Sequence, residues 1–377
     1  MSFYKPLVVK SKTIESLAGG DMLGHGDFPL WDKNTLSWPL LRDAICSRVG
    51  LNRAGSQRTI STFGSVSASG DKWLGGVLAP NGYIYGIPRS VTEVLKIDPT
   101  TDTVTTFGNV GAGSAEWAGG VLAPNGYIYG IPLENTAILK IDPNTDTVTT
   151  FGNISGSTKY HGAVVATNGM IYGIPWGATE VLKIDPTTDT VTTFGSLSGT
   201  NKWQGGVLAP NGMIYCIPGG ATEVLKIDPT TDTVTTFGSL SGSYKWFGGA
   251  LALNGMIYSA PQDAYYALKI DPTTDTATTI GTYLSGAYKF IGCALAPDGL
   301  IYGIPCNDTT GYVIDPVTDT TATYGSPGSG DKWNGGVLAP NGCIYGMPYD
   351  ATTVLKLGGP MDDVPEGFCL SRHYNKV

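Results

Sequence analysis

Charge is scarce in this chain: 14% of its 377 residues are Asp, Glu, Lys or Arg, and they balance to a formal −8. With no basic run to neutralise phosphates, a nucleic-acid partner is excluded. Long apolar runs are missing too, so no segment reaches the length of a membrane-spanning helix and no membrane insertion is expected. The first 21 residues lack the apolar core of a secretory signal, so synthesis in a cytoplasm is expected. Cysteine is thin. The six present, Cys46, Cys216, Cys293, Cys306, Cys343 and Cys369, form no CxxC pair, which favours free thiols over a disulfide framework or a zinc site. Plentiful instead are Gly (53) and Pro (24), the composition of many short strands joined by tight turns.

An Asn-Gly pair recurs at Asn81, Asn125, Asn168, Asn211, Asn254 and Asn341, with Asp-Gly at Asp298, so successive copies are offset by 44, 43, 43, 43, 44 and 43 residues. Seven copies of a strand-like period in the forties predict an all-β fold, a seven-bladed β-propeller of four-stranded blades over residues 57–360. In the fourth copy, residues 205–209, 213–218, 222–228 and 233–237 read as strands a, b, c and d. Pro210-Asn211-Gly212 closes the a–b hairpin, and Asp228-Pro229-Thr230-Thr231-Asp232 turns c into d. Thr in the middle of that turn is wrong for a calcium loop, so the Asp side chains are expected to cap the turn. The seventh copy ends at Gly358-Gly359-Pro360 without its TVTTF strand, and a matching strand stands at residues 58–64. That N-terminal strand is expected to close the ring as strand d of the seventh blade.

This topology places the near-invariant, Asp-rich a–b and c–d turns on one face and the b–c and d–a loops on the other. The copies differ on the second face, where the b–c loops begin with Arg89, Leu133, Trp176, Gln262, Cys306 and Tyr349. On that face an aromatic also opens strand a in every copy: Trp73, Trp117, Tyr160, Trp203, Trp246, Phe290 and Trp333. Lys precedes it in all but the second, which has Glu116. Two readings stand: a ring of flat surfaces at the channel mouth with lysines to hold sugar hydroxyls or acidic groups, or wedges between blades with solvated lysines. Together with Trp176, Tyr265 and Tyr349 of the b–c loops, and His161 after Tyr160, these aromatics form the candidate ligand-binding set.

Residues 1–56 do not share the repeat. Residues 6–10 and 13–17 suggest two short strands, and Trp38, Leu41, Ile45 and Val49 recur at helical spacing between Ser37 and Gly50. The opening YKPLVVKSKTIESLAGGDML resembles the N-terminal segment of many phage tail fibres and related virion proteins. The resemblance implies a virion surface protein, a tail fibre or spike, whose residues 1–56 are an anchoring module for other virion proteins and for sister chains in a homo-oligomer. It further implies an outward propeller face that meets a host surface glycan or protein; a capsid or tail decoration protein without receptor role is the alternative. The tail, residues 361–377, suggests no mechanism.

The phrase GGVLAPNGMIY at residues 205–215 resembles the strand a to strand b phrase of NHL, SMP-30-like lactonase and streptogramin-lyase propellers. That likeness brings a propeller lyase or lactonase into consideration, with His161, the one histidine of the repeats, as general base and Glu116 one blade away. Such lactonases hold a divalent metal with inward carboxylates and amides, whereas strand a here supplies Gly, Val, Leu and Ala. No metal, no cofactor and no enzymatic activity are therefore expected.

Overall fold

The structure, a computed structural model, describes residues 58–111 and 113–358 together with the backbone of residues 9–10 and 13–14. The chain divides into two compact units, Met1–Ser56 and Gln57–Val377. In the first, Val9–Lys10 pairs antiparallel with Thr13–Ile14, in keeping with the two suggested strands. The helix expected between Ser37 and Gly50 and the tail of residues 361–377 lie outside the described residues.

The second unit is a seven-bladed propeller, each blade a four-stranded antiparallel meander. Blades are numbered here from the one that Trp73 opens. In blade 4 the strands are Trp203–Leu208, Ile214–Pro218, Val224–Asp228 and Thr233–Phe237. Strand b is buried at every residue, because sheets on either side cover both of its faces, and it accordingly reads as an unbroken apolar run. Strand d lies at the outer edge; its threonines face solvent while Val234 and Phe237 turn toward the core, the alternation of a half-buried strand rich in β-branched residues.

The inner strands converge on glycine. In blade 4 a bulge follows the opening aromatic, with Trp203 opposite Pro218 but Gly206 opposite Cys216, and Gly205 takes φ +76° in the bulge. A Cβ on Gly205 would stand 3.0 Å from the Gly248 Cα, and the same approach runs from blade to blade until Gly335, whose Cβ would stand 2.8 Å from the Gly75 Cα. Glycine is thus the residue that lets seven inner strands meet around one axis.

Each seam between blades is fastened on the a–b/c–d face by one recurrent set. Asn168 donates to the Pro229 carbonyl (2.9 Å), the Tyr172 hydroxyl to Asp232 Oδ1 (3.1 Å), and Lys183 Nζ to Asp232 Oδ2 (2.5 Å), so blade 3 holds the c–d turn of blade 4. Asp228, the first acid of that turn, caps it by accepting from the Thr230 N–H (2.8 Å), as expected from the sequence. Asp232, the second, sits at φ +54°, a conformation Asp tolerates better than most residues. The acid of this face is partly neutralised: the second Asp of the c–d turns at Asp102, Asp146, Asp189, Asp232, Asp275 and Asp319 is paired with a lysine of the preceding blade. Half-exposed pairs of this kind contribute about 0.5–1 kcal/mol each.

Ring closure follows the expected route. Thr59–Phe63 pairs with Val354–Gly358 as strand d of blade 7, from Thr59 opposite Gly358 to Phe63 opposite Val354. Blade 7 consequently has no Asp-Pro-Thr-Thr-Asp turn for blade 6 to grip. The sequence compensates at three positions: Asp298 replaces the usual Asn, Val313 replaces the usual Lys, and Arg58 fills the vacancy. Arg58, 3% exposed, donates to the Gly342 carbonyl (2.7 Å), lies 3.4 Å from Asp298 Oδ2 and stacks over the Tyr302 ring at 5.1 Å.

Candidate functional site

The ring of aromatics that opens strand a is buried. Trp73, Trp117, Tyr160, Trp203, Trp246, Phe290 and Trp333 are each at most 4% exposed. Trp203 packs with Val164, Tyr172 and Ile174 of blade 3 and with Ile214 and Leu225 of its own blade, so it fills the seam. Its Nε1 donates to the Glu223 carbonyl (2.8 Å), and Trp73, Trp117, Trp246 and Trp333 repeat that bond twenty residues ahead. A buried indole needs such an acceptor, and the returning b–c loop supplies it. These seven therefore wedge between blades, and the reading of open flat surfaces is corrected.

The lysines before them are not solvated either. Lys72, Lys159, Lys202, Lys245, Lys289 and Lys332 are buried. Lys245 Nζ donates to the carbonyls of Gly219 (2.9 Å), Ala221 (2.7 Å) and Gly242 (3.0 Å), tying the b–c loop of blade 4 to the d–a loop after it. Burial pushes the Lys245 ammonium down to about 8, and lowers the other five as well. The bulge in strand a explains why these positions were hard to read, since one extra residue shifts which side chains turn inward.

At the axis of the b–c/d–a face the mouth is filled. The His161 ring lies 4.9 Å from Phe247, edge to face, and 5.8 Å from Trp176, which in turn lies 5.9 Å from Tyr244. Leu74, Ala118 and Leu133 complete the plug. His161 is 7% exposed, and burial together with the Arg89 charge pushes its imidazole down to about 3, so it is neutral at pH 7. The Glu116 carboxylate does not serve it but accepts from Asn135 of its own blade. Beside the plug, Tyr349 receives a hydrogen bond from Arg89, whose guanidinium also pairs with Asp71 at 2.8 Å. Two buried amide oxygens near the mouth, Gln204 Oε1 and Gln262 Oε1, have no partner. Among the described residues, no group of three or more His, Cys, Asp or Glu could hold a metal ion.

The exposed aromatic surface lies off the axis, on blade 5. Tyr265, 53% exposed, stacks on Tyr283, 59% exposed, with centroids 4.8 Å apart and planes 21° apart; Tyr266 meets Tyr283 edge-on at 6.0 Å. Of the candidate set, Tyr265 alone stands free, Tyr349 is half-buried, and Trp176 and His161 are inside the plug. Beside the tyrosines runs a groove of about 830 Å³ between Ser239–Ser243 and Asp263–Tyr266, floored by Ala277. Tyr283 was missed in the sequence, although a signal existed. Leu284 N–H bonds the Tyr265 carbonyl (2.8 Å) as Leu240 N–H bonds that of Thr222 (2.7 Å), so Tyr283 is an inserted residue and explains the 44-residue step from Asn254 to Asp298.

A family model described as a repeat of unknown function (DUF6923) matches residues 44–172 and 165–296, each match about three repeat periods long. The chain belongs to this DUF6923 family. No curated protein matches it. Solved structures similar to this DUF6923 propeller include a streptogramin B lyase, at 12% identity over 80% of this chain and 98% of that one, TM-score 0.69. They also include a catalytically inactive virginiamycin B lyase from Staphylococcus aureus solved with quinupristin (10% identity, 79% and 98% covered, TM-score 0.68). A third is the extracellular domain of a putative one component system from B. thetaiotaomicron (13% identity, 81% and 40% covered, TM-score 0.58). At these identities the likeness concerns the fold.

Proposed function

We propose that this chain is a recognition propeller, built and closed on its a–b/c–d face and binding a sugar-bearing surface with its b–c/d–a face. The observation that carries the reading is the exposed tyrosine stack of blade 5 beside a hydroxyl-lined groove, on the face where the repeats diverge. Aromatic faces left in solvent next to hydroxyls suit the apolar face and polar rim of a pyranose ring. The N-terminal resemblance supports a virion surface setting, a tail fibre or spike made in a host cytoplasm, with residues 1–56 docking to other virion proteins and to sister chains. A decoration protein on capsid or tail is the rival within that setting. The reading needs no cofactor.

A lyase is the rival from another class, favoured by the fold shared with streptogramin B lyases. Against it stands His161, enclosed between Phe247 and Trp176. Applying the purified full chain to a glycan array tests the proposal. Saturable binding to a defined glycan set is expected, and an array blank at micromolar protein removes the recognition reading. Consumption of quinupristin that His161→Ala abolishes would put a lyase in its place.

A further inference from the structure

Resting on the recognition reading, we infer that the blade 5 groove is the primary subsite and that it takes a neutral pyranose chain. The groove is one of a repeated type. Its counterpart on blade 1, about 530 Å³, runs between Ser65–Ser67 and Ser90–Glu93 over Val104. There, Glu93 Oε2 accepts from Thr106 Oγ1 (3.1 Å), so a carboxylate lines the wall. Blade 5 departs from its sisters at four positions around this one groove. Tyr265 stands where the other six blades have Thr, and Tyr266 where blades 1, 3 and 4 have Glu. Ala277, in the lining, replaces the larger Val of blades 1 to 4, and the added Tyr283 backs the groove by stacking on Tyr265. Ala277 packs against the blade 4–5 seam, where it is a smaller side chain than the Val of the sister blades, whereas the three tyrosines lie outside that core. The four changes enlarge the groove or make it aromatic.

The charges decide between neutral and acidic sugars. The one cation at the groove, Lys245, has its three N–H donors committed to the carbonyls of Gly219, Ala221 and Gly242, leaving none for a ligand carboxylate. Asp263, the one acid among the lining residues, accepts from the Tyr288 N–H (2.7 Å), and its carboxyl oxygens offer acceptors that suit hydroxyl donors rather than a second carboxylate. Ser239, Ser241, Ser243, Thr278 and Thr279 add hydroxyls that pair with sugar hydroxyls in either direction.

Isothermal titration of the full chain with cellotriose, maltotriose and mannotriose, set against trigalacturonate, tests this. At least one neutral trisaccharide should bind, and at least tenfold more tightly than trigalacturonate. Tyr265→Thr with Tyr266→Glu, and separately Ala277→Val, restore residues that sister blades carry at the same backbone positions; each should weaken the neutral sugar by about tenfold or more while leaving the melting temperature unchanged. A measurement independent of the variants is tetranitromethane nitration of the unaltered chain, in which the bound trisaccharide should protect Tyr265 and Tyr283. Binding undiminished in both variants, unprotected tyrosines, preferred binding of trigalacturonate, or displacement of the sugar by a deca-proline peptide each overturns the inference. Failure of all three neutral trisaccharides overturns it too, while a glycan array that still lights up would leave the recognition reading intact.

Discussion

Closure of the ring turns on one exception to its own grammar, and Arg58 is where to perturb it. Arg58→Ala removes the hydrogen bond to the Gly342 carbonyl and the stacking over Tyr302, and leaves the Asp298 carboxylate, 20% exposed, without a positive neighbour. Breaking a buried ion pair costs about 3–5 kcal/mol, and one charge-assisted hydrogen bond contributes about 1.5–3 kcal/mol. Arg58 Nε lies 3.4 Å from Asp298 but is not aligned for a hydrogen bond, and Asp298 keeps some water, so the loss should be about 3 kcal/mol rather than the upper figure. Asp298→Asn, which restores the residue of the other six copies, should by itself destabilise by about 1.5 kcal/mol, because it strands the guanidinium. The double variant should lose less than the sum, with a coupling of about 1 kcal/mol. Urea unfolding gives the global terms, and hydrogen exchange across residues 59–63 and 354–358 should show faster opening of the closing strand than of any other strand d. A coupling below about 0.3 kcal/mol, or an Arg58→Ala loss below about 1 kcal/mol, would refute the argument that Arg58 and Asp298 replace the missing turn.

Two further outcomes follow from the inner strands and the buried lysines. Gly205→Ala forces a Cβ to 3.0 Å from the Gly248 Cα at φ +76° and should destabilise by about 2–4 kcal/mol in urea unfolding, whereas Gly212→Ala, with open space around it, should show the backbone strain alone, about 1 kcal/mol. Lys245 has a native pKa near 8 against about 10.5 unfolded, so between those values the unfolded chain binds more protons and stability rises with pH; relative to Lys245→Met, the unaltered chain should gain up to about 2 kcal/mol from pH 8 to pH 10 and lose it again as pH falls through 8. A flat difference between the two proteins across that window would show that the three carbonyls offset the burial of the ammonium.

The fold was legible because its determinants are local and repeated. Asn211 sets the beat in the sequence and, in the structure, accepts from the Met213 N–H and donates to the Pro272 carbonyl of the next blade, so one residue fixes both the hairpin and the seam. The exception at Asp298 was equally visible, but its meaning required Arg58 to be brought beside it from 240 residues away. The candidate site was legible only in part. Period-two alternation sorts side chains in an unbroken strand, and the bulge at Gly205 breaks it, so whether Lys202 and Trp203 face water or a seam could not be read from their order. Tyr265 is legible because it lies in a divergent loop, whereas Tyr283, an inserted residue, has no counterpart in the sister copies to stand out against.

If recognition resides on blade 5, contact with a real ligand must leave its mark there. Hydrogen exchange of the full chain, with and without the glycan the array selects, measures this directly. The account predicts protection confined to residues 239–243 and 263–284, with the a–b and c–d turns around Asn211 and Asp228 unchanged. Protection centred instead on those turns, or on the axial plug of His161, Trp176 and Phe247, would contradict it.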